Sequence, residues 1–170
     1  MVINVVGGLA PDTDEPMPVE QQKVIAGYWR EVRAKTGAEF NFEFWRLCQP
    51  RRSTYPACRA VLTARLQGAE QAMIDAIQEA YYLRAMNPSD APILIRLARE
   101  TGLNEQQFSQ DLRSARIQSV LEDEFAMRRR IGVYSFPSLV VEHRETLSSV
   151  DINYLDYRPT LEAIKSLLRA

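Results

Sequence analysis

The stretch Arg130-Ile131-Gly132-Val133-Tyr134-Ser135-Phe136-Pro137-Ser138-Leu139-Val140-Val141-Glu142 carries a basic helix end through one glycine and an aromatic-proline pair into an apolar run. A proline directly before a β run cannot donate to the ladder, so it belongs at the strand's first position. X-Pro bonds are also the ones that adopt cis at low cost. The expected product is a tight loop at a sheet edge. Outward from it, Ser138–His143 and Thr146–Val150 read as two strands of a hairpin, and Thr160–Leu168 as a closing helix that buries Leu161, Ile164, Leu167 and Leu168.

Upstream, Ala115–Ile131 is a long helix with Ile117, Leu121, Glu124, Phe125 and Arg128 along its faces. Arg128-Arg129-Arg130 in its last turn complements the carbonyl end of the helix dipole, which favours a solvated reading of all three over a phosphate site. Earlier helices are punctuated by residues with capping chemistry. Asn104 with Gln107 resembles a capping box, Ser89 or Asp90 precedes Pro92, Ser53 or Thr54 precedes Pro56, and Gly37 and Gly102 suit helix ends. The first helix spans about residues 18–36, with Val24, Ile25, Tyr28, Trp29 and Val32 at helical steps. Phe40–Trp45 alternates like a strand and equally fits a turn packed on the core. At the start, Val2-Ile3-Asn4-Val5-Val6 is β-branched and apolar and ends in Gly7-Gly8, which predicts a buried strand emerging into a loop.

One large block of helices thus interrupts a strand-helix … strand-strand-helix order, the pattern of an α/β domain with an inserted helical subdomain. The 170 residues, 46% of them hydrophobic, suffice for one filled core. A net charge of −1, with cations spread along helices, argues against nucleic acid as a partner. No run approaches the length of a membrane span, and the first residues show neither a basic n-region nor an apolar h-region followed by a small-residue cleavage site. Cys48 and Cys58 lack C-x-x-C spacing and read as two reduced, partly buried thiols, with a bridge between them across Pro50 and Pro56 as the alternative. His143 is the single histidine, so no metal or other cofactor site is expected.

Gly7-Gly8-Leu9 after an apolar run, Tyr55-Pro56-Ala57-Cys58-Arg59-Ala60 opening the helical block and Phe136-Pro137-Ser138-Leu139 before the hairpin resemble the DsbA-like branch of thioredoxin-fold proteins. Within it, the resemblance is to the cytosolic bacterial group described as protein-disulfide isomerases. It covers nearly the whole chain and implies an α/β, thioredoxin-like fold, with residues 1–36 and 130–170 forming a partial thioredoxin-like domain and 37–129 a helical insertion. Family members open with a strand and a helix bearing C-x-x-C, because a helix N-terminus stabilises thiolate. This sequence has no such motif, as if that first βα unit were missing.

The resemblance therefore implies the C-terminal portion of a thiol-disulfide oxidoreductase or isomerase, inactive as given and with no catalytic residue of its own. The alternatives are a relative of kappa-type glutathione transferases and 2-hydroxychromene-2-carboxylate isomerases, or a non-catalytic peptide-binding or self-associating domain. By the same resemblance the substrate-binding residues are Phe136 and Pro137, in the loop that faces the cysteines in the family. The implied partners are cysteine-containing proteins or peptides, with glutathione and a second copy of the chain as further candidates. The implied location is the cytoplasm. Cys58 fits a core thiol better than a second redox cysteine, and Tyr28, Trp29, Phe42, Phe44 and Trp45 fit core packing better than a peptide groove.

Overall fold

Helix α3 (Tyr55–Arg65) is the hub of the molecule. Its sequence places five consecutive buried residues, Ala60 to Ala64, at the middle of the helix. A helix apolar on all sides must be surrounded. It is surrounded by α4 (Glu70–Tyr82), α5 (Ala91–Glu100), α6 (Glu105–Leu112) and α7 (Ala115–Arg130). The computed structural model describes residues 1–169.

Two apolar clusters meet at α3. Ala60, Ala64, Met73, Leu94, Leu97, Phe108 and Leu112 form the larger one between α3 and α4–α6. Leu62, Ile117, Leu121 and Phe125 form the smaller one between α3 and α7. Helix starts follow local chemistry. The Asn104 side chain accepts from the Gln107 N–H at 2.9 Å, and Ser114 Oγ from the Ile117 N–H at 3.2 Å. Thr54 precedes α3, but its hydroxyl serves the chain elsewhere: it accepts from the Ala10 N–H at 2.9 Å and donates to the Ala10 carbonyl at 3.2 Å. That exchange holds the irregular Leu9–Met17 connection against the helical block.

Helix α1 (Val19–Thr36) ends at Gly37, which takes the left-handed conformation at φ 75°. The aromatic segment left open between strand and turn is a turn leading into a four-residue helix, α2 (Phe44–Leu47). Its rings close around Trp29, which touches Phe40, Phe42, Phe44, Trp45, Tyr81 and Tyr82 at centroid distances of 4.9 to 5.9 Å.

After α7 the chain forms a hairpin, β1 (Leu139–His143) and β2 (Thr146–Val150), antiparallel with Leu139 opposite Val150 and His143 opposite Thr146. Its two-residue turn places Arg144 and Glu145 at φ 48° and 66°, a turn type that matches strand twist but is usually built from Asn and Gly. Helix α8 (Tyr157–Arg169) rests on both strands.

The closing helix does not bury its leucines as expected: Leu161 and Leu168 are 39% and 51% exposed, because α8 packs on a two-stranded hairpin. The apolar run at the start differs as well. Val2–Val6 forms no strand, and Val2 and Ile3 are 91% and 55% exposed. A strand exists only through its neighbour's hydrogen bonds, and among the described residues the sheet has two members, β1 and β2. Side chains serve this backbone instead. Glu124 Oε2 accepts from the Val6 N–H at 3.0 Å, and Arg65 Nη2 donates to the Asn4 carbonyl at 3.0 Å. Arg65 in turn pairs with Glu124 and Glu70, each at 2.7 Å. Val6 packs against both apolar clusters and anchors the segment.

Candidate functional site

The loop between α7 and β1 is positioned by the way α7 stops. Gly132, at φ 75°, lets its own N–H reach the Arg129 carbonyl at 3.1 Å and the Val133 N–H reach that of Arg128 at 3.1 Å. This paired closure turns the chain sharply off the helix. Ser138 Oγ donates to the Ser135 carbonyl at 2.6 Å and closes the loop, in which the Phe136–Pro137 bond is cis.

Opposite lies the Gly7-Gly8 pair. A Cβ on Gly7 would stand 2.6 Å from the Phe136 ring, and one on Gly8 would overlap the Phe125 ring. Gly8 also sits at φ 62°, a conformation that L side chains resist. Two aromatic rings thus lie directly on this backbone, one from the proline loop and one from α7. Between the walls runs a cleft of about 480 Å³ with Ile3 and Val5 on one side and Leu139 and Val140 on the other. Its size suits a small ligand or a short stretch of chain.

The thiols are quiet. Cys58 lines this cleft; burial pushes its pKa up, against an opposing hydrogen bond from the Gly8 N–H. Cys48 donates to the Ala85 carbonyl at 3.0 Å, and burial raises its pKa as well. Both are free, in the direction opposite to an activated nucleophile. Phe136 is 40% exposed at the cleft's rim beside Pro137. Of the aromatic residues weighed as a groove, Trp29 and Phe44 are buried in the ring cluster, Tyr28 is exposed on α1, and none lines the cleft.

The basic helix end requires a correction. Arg129 and Arg130 are exposed as expected, but Arg128 turns into the cleft. Its guanidinium lies over Phe136 at 5.5 Å and over Phe125 at 6.0 Å. Composition could not show this, because it depends on where Phe136 returns in space. A second hollow, about 690 Å³, holds Arg51 and Arg59, but Asp90 and Asp12 already neutralise them.

A sequence profile described as Thioredoxin matches residues 18–160. The chain belongs to that thioredoxin family. Its DsbA-like character is visible among solved structures. A candidate protein disulfide isomerase from Nitrosomonas europaea is 26% identical, with a TM-score of 0.80 over 94% of this chain and 79% of the other. The cytosolic disulfide reductase DsbM from Pseudomonas aeruginosa is 23% identical, with a TM-score of 0.73 over 96% of this chain and 80% of its own; a second structure, with GSH, gives 0.72. The curated relatives are ClpXP adapter proteins SpxH. That of Bacillus subtilis is 25% identical over 70% of this chain and that of Halalkalibacterium halodurans 26% over 71%. The chain spans about two fifths of those relatives' lengths, 41% and 40%. No helix among the described residues is long and apolar enough to cross a membrane.

Proposed function

We propose that this chain is the substrate-facing portion of a thiol-disulfide oxidoreductase or isomerase of the DsbA-like group, acting in the cytoplasm. The observation that supports the reading is the Phe136–Pro137 loop after α7, whose Phe136 ring lies on Gly7 at the rim of the cleft. Residues 1–36 with 130–170 act as the partial thioredoxin-like domain and 37–129 as the helical insertion. A substrate peptide lies along the loop, its backbone recognised beside Phe136 and Pro137 as an added strand is, which tolerates many sequences. Exchange itself needs a thiolate to attack one disulfide sulfur while the other leaves as thiolate. Cys48 and Cys58 are not arranged for that step, so the reacting cysteines belong to a βα unit ahead of Met1. Cysteine-containing proteins or peptides are the substrates, and glutathione is the small thiol that the reading admits, since one fold neighbour is solved with it.

Two measurements test this. The 170 residues alone give no turnover in an insulin-reduction assay, and robust turnover overturns the assignment of the thiols elsewhere. The genomic frame upstream of the Met1 codon encodes a strand ending in C-x-x-C; stop codons or an unrelated frame there overturn the enzyme reading and leave a non-catalytic peptide-binding or self-associating domain.

A further inference from the structure

Helix α1 has two apolar faces, and the fold uses one of them. Ala26 and Trp29 are buried, with Trp29 inside the ring cluster. Val24, Tyr28 and Val32 follow at four-residue steps, a spacing that stacks side chains on one side of a helix, and all three are exposed, Val24 and Tyr28 by more than half. Single apolar residues on a surface need no explanation, but a continuous row of them marks a face that meets a partner.

The charges at the two ends of α1 say which partner. Glu20 stands about 12 Å before Tyr28 along the helix axis and Lys35 about 10.5 Å after it, and the helical twist brings both to the same flank of the apolar row. A second copy laid antiparallel on this face, with the two-fold axis at Tyr28, sets Val24 against Val32, one Tyr28 ring against the other, and Glu20 against Lys35 at both ends. Lys23, the present partner of Glu20, forms an exposed pair of the kind that contributes little. Lys35 has no ion pair among the described residues. Antiparallel helices also place the acidic start of each beside the basic end of the other. An unrelated partner has no reason to repeat this match, whereas a copy of the same chain carries it by symmetry. We propose that α1 is the self-association face of this chain, forming a two-fold pair across Tyr28.

The pairing leaves the cleft free. No described residue of α1 lines it. The Tyr81-Tyr82 end of α4 holds α1, about 18 Å along that helix from Glu70, where Arg65 fastens the Asn4 segment. The proposal therefore stands apart from the redox reading, because insulin turnover and the upstream frame test that one and neither depends on Tyr28. A contact one helix wide and about 27 Å long lies at the small end of stable interfaces, so the dimer dissociates at about 10–100 µM.

Sedimentation equilibrium of the intact chain from about 1 to 500 µM reads the dimer. Tyr28→Glu weakens it at least about a hundredfold, because two carboxylates then meet on the axis. Glu20→Lys and Lys35→Glu each weaken it about tenfold, and the double swap, which puts opposite charges back at both ends, returns the parent affinity. A monomer throughout the range, a dimer that ignores Tyr28→Glu, or a double swap no tighter than the single changes overturns the proposal. Should Tyr28→Glu lose helix by circular dichroism, the swap series on exposed Glu20 and Lys35 decides alone.

Discussion

Gly8 shows how much one hydrogen can matter. Its φ of 62° and the Phe125 ring pressed on its α-carbon leave no room for a methyl group. Gly8→Ala combines left-handed strain with overpacking, and the expected loss is about 2–4 kcal/mol in urea unfolding. An unchanged midpoint would mean that the ring moves freely. Cys58 supplies a second expectation at this scale. Burial lifts its pKa above the ordinary 9.0, so the folded chain keeps a proton that the unfolded chain releases. Its contribution to stability is intact below pH 9 and declines as pH climbs through the folded value. Urea midpoints between pH 8 and pH 10 fall less steeply in Cys58→Ala than in the parent chain, and equal slopes would refute this. The sequence marks Gly7-Gly8 as the exit of an extended run, but not why two glycines are needed. The reason lies in Phe125 and Phe136, more than a hundred positions away.

Among the elements, those that begin or end on local chemistry were legible. Asn104 and Gly37 each act on residues within five positions, and α1 and α7 lie within one residue of the spans that the pattern puts at 18–36 and 115–131. The Val2–Val6 segment was not, because strandness is a property of a pair and pattern reading sees one partner at a time. What replaces the missing ladder is the Glu124 carboxylate, shared by the Val6 N–H and Arg65. Glu124→Gln removes the charge from a buried pair while Arg65 keeps Glu70, for an expected cost of about 2 kcal/mol by thermal unfolding and early hydrogen exchange at Val6. The hairpin turn points the other way. Glu145→Gly relieves a left-handed residue at φ 66° and stabilises by about 0.5–1 kcal/mol in the same assay. A neutral or negative effect would show that Glu145 earns its conformation through contacts of its own.

At the level of the whole molecule, cohesion is unevenly spread. The fully buried side chains Phe44, Phe108, Leu62, Met73, Leu94, Leu97, Ile117 and Leu121 all belong to helices, whereas α8 buries no residue and packs on the hairpin. Amides of β1, β2 and α8 therefore exchange faster than those of α3, α5 and α7, and uniform protection would contradict the division. Both tryptophans, Trp29 and Trp45, stand 4.9 Å apart in the same ring cluster. The chain's two indoles thus sit together in one corner and watch α1, α2 and α4 alone. Tryptophan emission recorded during melting would miss the loosening of the hairpin, and a ligand seated near Pro137 would bind without dimming it.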